Sequence, residues 1–385
     1  MTLKSARRGE VSPFIVMELL RFANQRVSDG GHVLHLELGE PSAPTPLPVV
    51  ARAHELLDKN LPGYTESLGI PPLRERIAAY YREREGIAVT PGRIAVTTGS
   101  SGAFVLAFLA AFDVGDRVAL AMPGYPAYRN ILSALGIEPV ALEVGSETRF
   151  QPTVGMLEQV EGPLDGLIIA SPSNPTGTVL PREEFCAIAD HCRDKGIRLV
   201  SDEIYHGITF GGFGAAAISA LSFTDEAIII NSFSKYFAMP GWRLGWMVVP
   251  EDLLRAVESL SQNLFISPPC LSQHVAINVF DCLAELDTNV TTYARNRAIL
   301  LEGLPQAGFD RLAPSDGAFY LYADVSELTN DSHDFCHRML AETGVATTPG
   351  MDFDYVSGHR AIRLSFAGPA AAMEEAVARL KDWKR

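Results

Sequence analysis

Through the middle of the chain, short apolar runs alternate with longer stretches of helical period. The runs predict strands at 93–97, 116–121, 164–170, 196–201 and 227–231, with helices at 102–112 and 181–194 between them. This alternation is the pattern of a parallel sheet covered by helices, because a parallel strand pair needs a crossover to bring the chain back. Past about residue 280 the texture changes to a long helical pattern, then Gly317-Ala-Phe-Tyr320-Leu-Tyr322, a closing strand near 361–366 and a terminal helix. That part predicts a second, smaller α+β domain. The proline-rich stretch Pro41 to Pro48 reads as a linker between an N-terminal arm and the core. The expected division is 1–45 as the arm and part of the small domain, 46–280 as a large domain and 281–385 as a small C-terminal domain.

Length supports this division, since 385 residues exceed what one hydrophobic core comfortably serves. Hydrophobic residues at 47% and charged residues at 20% describe an ordinary globular chain. A net charge of -14 leaves no basic face for a phosphate backbone, so nucleic acid is excluded as a partner. The apolar run 104–112 is about half of what a membrane crossing needs, so it predicts a buried helix. Glu18 interrupts the apolar stretch 14–20 and no cleavage site follows, so no secretory signal is read. Five cysteines without a C-x-x-C pair suit free thiols in a reducing compartment, which together imply a cytoplasmic protein. No metal site is read: His191 beside Cys192 fits a packed helix surface.

In an open α/β sheet, ligands sit beyond the carboxyl ends of the strands. The segments there are chemically rich: Gly99-Ser100-Ser101-Gly102, Pro123-Gly-Tyr125, Ser171-Pro-Ser-Asn174-Pro-Thr-Gly177, Asp202-Glu-Ile-Tyr205 and Ser232-Phe-Ser234-Lys235. Five loops converge on one edge. Lys235, flanked by small hydroxyl residues and followed by Gly241-Trp-Arg243-Leu-Gly245, is placed to form a Schiff base beside a fixed cation.

Ser232-Phe-Ser-Lys235 with Gly241-Trp-Arg243 resembles the coenzyme-attachment signature of class I and II aminotransferases of fold type I. Leu38-Gly39-Glu-Pro41, Tyr64 with Gly69 and Leu73-Arg74, Asn174-Pro-Thr-Gly177, Asp202-Glu-Ile-Tyr205 and Arg363-Leu-Ser fall in the family's order. The resemblance implies an α/β fold: a large domain with a mostly parallel seven-stranded sheet covered by helices, plus the smaller α+β domain. It also implies pyridoxal 5'-phosphate (PLP) as cofactor, held by Lys235, and a homodimer.

The resemblance assigns roles that physical chemistry makes sensible. PLP withdraws electrons best with its ring nitrogen protonated, which a buried carboxylate enforces; Asp202 is that candidate. Asn174 and Tyr205 would serve the phenolic oxygen. Ser100 and Ser101 at a helix start, Ser232 in preference to Ser234, and Arg243 would hold the phosphate. Tyr125 would stack on the ring, with Tyr128 as a competitor, and Tyr64 would reach the phosphate of the neighbouring subunit. Arg363, rather than Arg360, would clamp the substrate carboxylate with the Gly39 backbone and Asn174.

The reading is thus an amino acid:2-oxo acid aminotransferase with ping-pong kinetics, in which Lys235, Asp202 and Tyr205 carry catalysis. Dicarboxylate-specific relatives often place an arginine in the region matching Ser261 to Pro269; this chain has no positive charge there. A neutral aromatic or aliphatic donor is therefore expected, with 2-oxoglutarate or pyruvate as acceptor and Phe14, Ile15 and Val16 adding apolar cover. The rivals are a carbon–sulfur β-lyase of the same fold and a non-catalytic PLP-binding sensor domain.

Overall fold

A computed structural model describes residues 3–59, 63–211 and 216–384. Its larger sheet has seven strands in the order Ile94–Thr97, Gly245–Val248, Ile228–Ser232, Arg198–Asp202, Gly166–Ala170, Arg117–Met122 and Glu138–Glu143. Gly245–Val248 runs antiparallel to both neighbours, and every other pairing is parallel. The fold is therefore the mostly parallel seven-stranded architecture. Successive strand residues point to opposite faces and both faces are covered, so alternate residues enter different cores. Leu167, Ile169 and Ile229 join one cluster, whereas Ile168, Ile228 and Ile230 join the other.

Sequence pattern missed two of these strands. Glu138–Glu143 is an edge strand with charged ends and a proline, which breaks a continuous apolar signature. Gly245–Val248 has only four residues and follows directly on the Gly-Trp-Arg segment. The proline tract also needs correction, because Leu47 and Pro48 already belong to the helix Leu47–Asp58. Proline is tolerated there because a first-turn amide has no helical partner to lose.

The second sheet is antiparallel, ordered Thr348–Pro349, Ala361–Ser365, Tyr320–Asp324, Arg311–Leu312. The 24-residue helix Leu283–Gln306 leads into it. Near the start of the chain, Leu34–His35 pairs in parallel with Val345–Ala346, tying the arm to this C-terminal part. Among the described residues, no helix is long and apolar enough to cross a membrane, and all five cysteines are free thiols.

Candidate active site

The carboxyl ends of the parallel strands face a cleft of about 260 Å³, closed on its other side by the arm and the small sheet. Strand register sets one wall. Ala170 is level with Asp202, and Ser232 with Gly245, so the loops after these strands open side by side.

Asp202 ends its strand and is buried. Its Oδ1 accepts the Ile204 amide at 3.1 Å and its Oδ2 accepts the Tyr128 hydroxyl. Burial lifts this carboxyl to about 6, although both bonds favour the charged form and pull the other way. The bond explains Tyr128, which the sequence offered only as a rival stacking ring: it holds the carboxylate. Tyr125 lines the cleft and meets Tyr128 edge-on at 5.3 Å.

Behind Asp202 lies a buried cluster that sequence reasoning overlooked. His206 Nδ1 is 3.6 Å from Glu203 and 3.7 Å from Glu85, and its Nε2 faces the Ser171 carbonyl at 3.1 Å. Burial pulls this imidazole down, but the two carboxylates outweigh it and raise it to about 9. A retained positive charge thus backs the Asp202 carboxylate.

Lys235 lies three residues beyond the strand Ile228–Ser232, and its Nζ donates to the Gly39 carbonyl at 2.6 Å. Burial, with help from the Arg363 and Arg243 charges, lowers this amine to about 8. It faces the Tyr205 ring, 6.0 Å from the centroid. The Tyr205 hydroxyl shares a 2.8 Å bond with the Tyr320 hydroxyl, a partner that comes from the small sheet. A side chain at Gly39 would lie 2.0 Å from that Tyr320 hydroxyl, so glycine permits the two segments to meet.

Ser100 and Ser101 open the helix Gly99–Ala111 and line the cleft with Arg243. A β-carbon at Gly99, whose φ is +71°, would sit 2.5 Å from Arg243 Nη2. The guanidinium is therefore held against bare helix-start backbone, a suitable cradle for an anion. The two serines that flank the turn before Lys235 are hydrogen-bonded to each other. Ser232 is buried behind the wall and donates to the Ser234 hydroxyl at 3.0 Å, while Ser234 lines the cleft.

Arg363 occupies the strand Ala361–Ser365 and points into the cleft, fully buried, whereas Arg360 is exposed. Its guanidinium donates to Asn174 Oδ1 at 2.9 Å, the Glu37 carbonyl at 2.6 Å and Thr348 Oγ1 at 3.2 Å. It is packed between the Tyr320 and Phe353 rings, 4.4 and 4.7 Å from their centroids. Buried Nε finds no acceptor among the described residues, which leaves a donor for an incoming anion.

The arm closes the cleft. Phe14 and Val16 line it, Phe14 stacks on Tyr125 at 6.2 Å, and the Ile15 and Val16 amides donate to the Asp352 carboxylate at 2.8 and 2.9 Å. The described residues of 261–269 stand outside the cleft, and Tyr64 is 81% exposed and also outside it.

Residues 31–380 match the family model for aminotransferases of class I and II. The chain belongs to that family. It is 52% identical, over all of its length and 99% of the relative's, to a valine–pyruvate aminotransferase of Mycobacterium tuberculosis. A crystal structure of an aminotransferase from the same organism superposes with a TM-score of 0.97, at 52% identity and with 99% of each chain covered. An aspartate aminotransferase of Thermus thermophilus, solved with maleate, gives 0.92 at 30% identity, again over 99% of each chain. The fold is fold type I, and the enzyme is an amino acid:2-oxo acid aminotransferase of this PLP-dependent family.

Proposed function

We propose that this aminotransferase carries PLP on Lys235 and takes a neutral, apolar amino acid as donor, with pyruvate or 2-oxoglutarate as acceptor. The observation that carries the reading is the convergence of Lys235, Asp202, Asn174 and Arg363 on one cleft walled by Phe14, Val16 and Phe353. The donor set suits a phosphorylated pyridine aldehyde: an amine in the middle, a buried carboxylate on one side, and helix-start amides with the Ser232–Ser234 hydroxyl pair and Arg243 for an anion. When bound, PLP supplies an electron-withdrawing ring conjugated to the substrate Cα.

The chain's residues do the rest. Asp202, held by Tyr128, keeps a proton on the ring nitrogen. Tyr205 donates to the phenolic oxygen, and Tyr125 gives the ring a flat face. Arg363 grips the α-carboxylate through its spare donor, with Asn174 and the Gly39 backbone fixing orientation. Lys235 Nζ would take the proton from the substrate Cα and deliver it to the carbon of the cofactor's former aldehyde group. An amine lowered to about 8 is partly neutral near pH 7, as a general base must be.

Support for the donor class is twofold. The arginines on this cleft, Arg243 and Arg363, are engaged by the anion cradle and the α-carboxylate, leaving apolar rings for the side chain. The Mycobacterium relative is named for valine and pyruvate. The active unit is a homodimer in which Tyr64 reaches the neighbouring subunit's phosphate. In support, the Thr65 amide meets Ser267 Oγ at 3.4 Å, so exposed Tyr64 and the half-exposed Ile266 lie on neighbouring segments. A donor panel run against both acceptors tests the reading: valine, leucine, methionine or phenylalanine should lead. If aspartate leads by about tenfold in kcat/KM, about 1.4 kcal/mol, the neutral pocket is wrong. Pyruvate and ammonia release from cysteine conjugates, faster than transamination, would identify a β-lyase instead.

A further inference from the structure

Away from the cleft, the first turn of the arm helix Ile15–Ser28 packs near the small-domain helix Ser332–Thr343. His333 and His337 are one turn apart on the latter and present their rings on one face, 4.6 Å between centroids. Glu18 comes from the arm, with Oε2 3.8 Å from His333 Nε2. Phe22, one turn after Glu18, packs edge-on against His337 at 4.8 Å and fixes that ring. The helix carrying the histidines is itself well anchored, with Asp331 accepting the His333 and Asp334 amides.

Two details distinguish this cluster from an ordinary surface ion pair. One ligand atom from each residue, a carboxylate oxygen and two imidazole nitrogens, lies within 4.8 Å of the others. His337 Nε2 is buried and has no hydrogen-bond partner among the described residues. A buried imidazole nitrogen without a partner is costly unless something meets it. Two imidazoles and a carboxylate suit a borderline divalent cation such as zinc, whose bonds of about 2.0–2.2 Å would draw the three side chains together by roughly an ångström.

We propose that Glu18, His333 and His337 form a zinc-class divalent metal site, with one water-filled position, that staples the N-terminal arm to the small domain. The same arm carries Phe14 and Val16, four and two residues before Glu18, into the cleft. A bound ion would therefore fix the apolar lid without touching the reacting atoms. The inference does not depend on which amino acid the enzyme prefers.

Calorimetric titration of chelator-stripped holoenzyme with Zn2+ tests it. One equivalent should bind per chain, and Glu18→Gln, His333→Gln and His337→Gln should each weaken binding by roughly tenfold or more. Glu18 is exposed and His333 half-buried, so thermal unfolding of each variant separates loss of ligation from loss of folding. Absence of binding overturns the proposal. So does binding of unchanged affinity in all three variants, which would place the ion at a cysteine or at the cofactor.

Discussion

The two walls of the cleft are built in different ways. The wall of Asp202, Asn174 and Lys235 follows from the register of neighbouring parallel strands, where one strand end fixes the next. The opposite wall is assembled from segments far apart in sequence: Arg363 binds the Glu37 carbonyl across 326 residues, and the Ile15 amide binds Asp352 across 337. The first is set by the sheet and holds the residues to which the proposed function assigns the chemistry. The second is composite, held by a few directed bonds between distant segments.

Substitutions on each wall should therefore fail in different ways. The largest effect is expected at Arg363, where the composite wall meets the reacting molecule. Arg363→Gln should lower kcat/KM by about 100-fold or more, mostly through KM, because a charge-assisted clamp is lost. Arg360→Gln, an exposed control, should stay within about threefold; steady-state kinetics on one donor compares them. Next comes Tyr128→Phe on the scaffold wall. Removing one hydrogen bond to a buried carboxylate costs about 1.5–3 kcal/mol, so cofactor retention in dialysis should weaken by roughly tenfold or more. Unchanged retention would detach Tyr128 from Asp202.

A smaller, pH-dependent effect concerns Lys235 in cofactor-free enzyme. Burial and the Arg363 and Arg243 charges disfavour the ammonium, so labelling by an amine-reactive reagent should show a midpoint near pH 8. Removing a positive neighbour in Arg363→Gln should move that midpoint upward. A midpoint above pH 10 in the parent enzyme would show a solvated lysine. Least severe should be Phe14→Ala, raising KM several-fold for apolar donors and little for alanine.

The same contrast explains what could be read from sequence. Scaffold-wall residues follow apolar runs directly, so strand pattern alone delivered Asp202, Asn174 and Lys235 to one edge. Arg363 was legible because a charge inside an apolar strand is costly without an anion. Tyr320, Phe353 and Asp352 were not, since each reaches the cleft only through packing of the small sheet onto the large one. The role of Tyr128 was hidden for another reason: both Tyr125 and Tyr128 line the cleft, and only the folded chain brings the Tyr128 hydroxyl to Asp202. The hydrogen bond between Ser232 and Ser234 depends on a turn whose direction no periodicity encodes.

The central claim is that Lys235 carries the cofactor. Borohydride reduction of PLP-loaded enzyme, followed by proteolysis and peptide mapping, tests it most directly. One phosphopyridoxyl label per chain is expected, on Lys235, and none in Lys235→Ala. A label on another lysine, such as Lys195 at the end of the helix Arg182–Lys195, would contradict it.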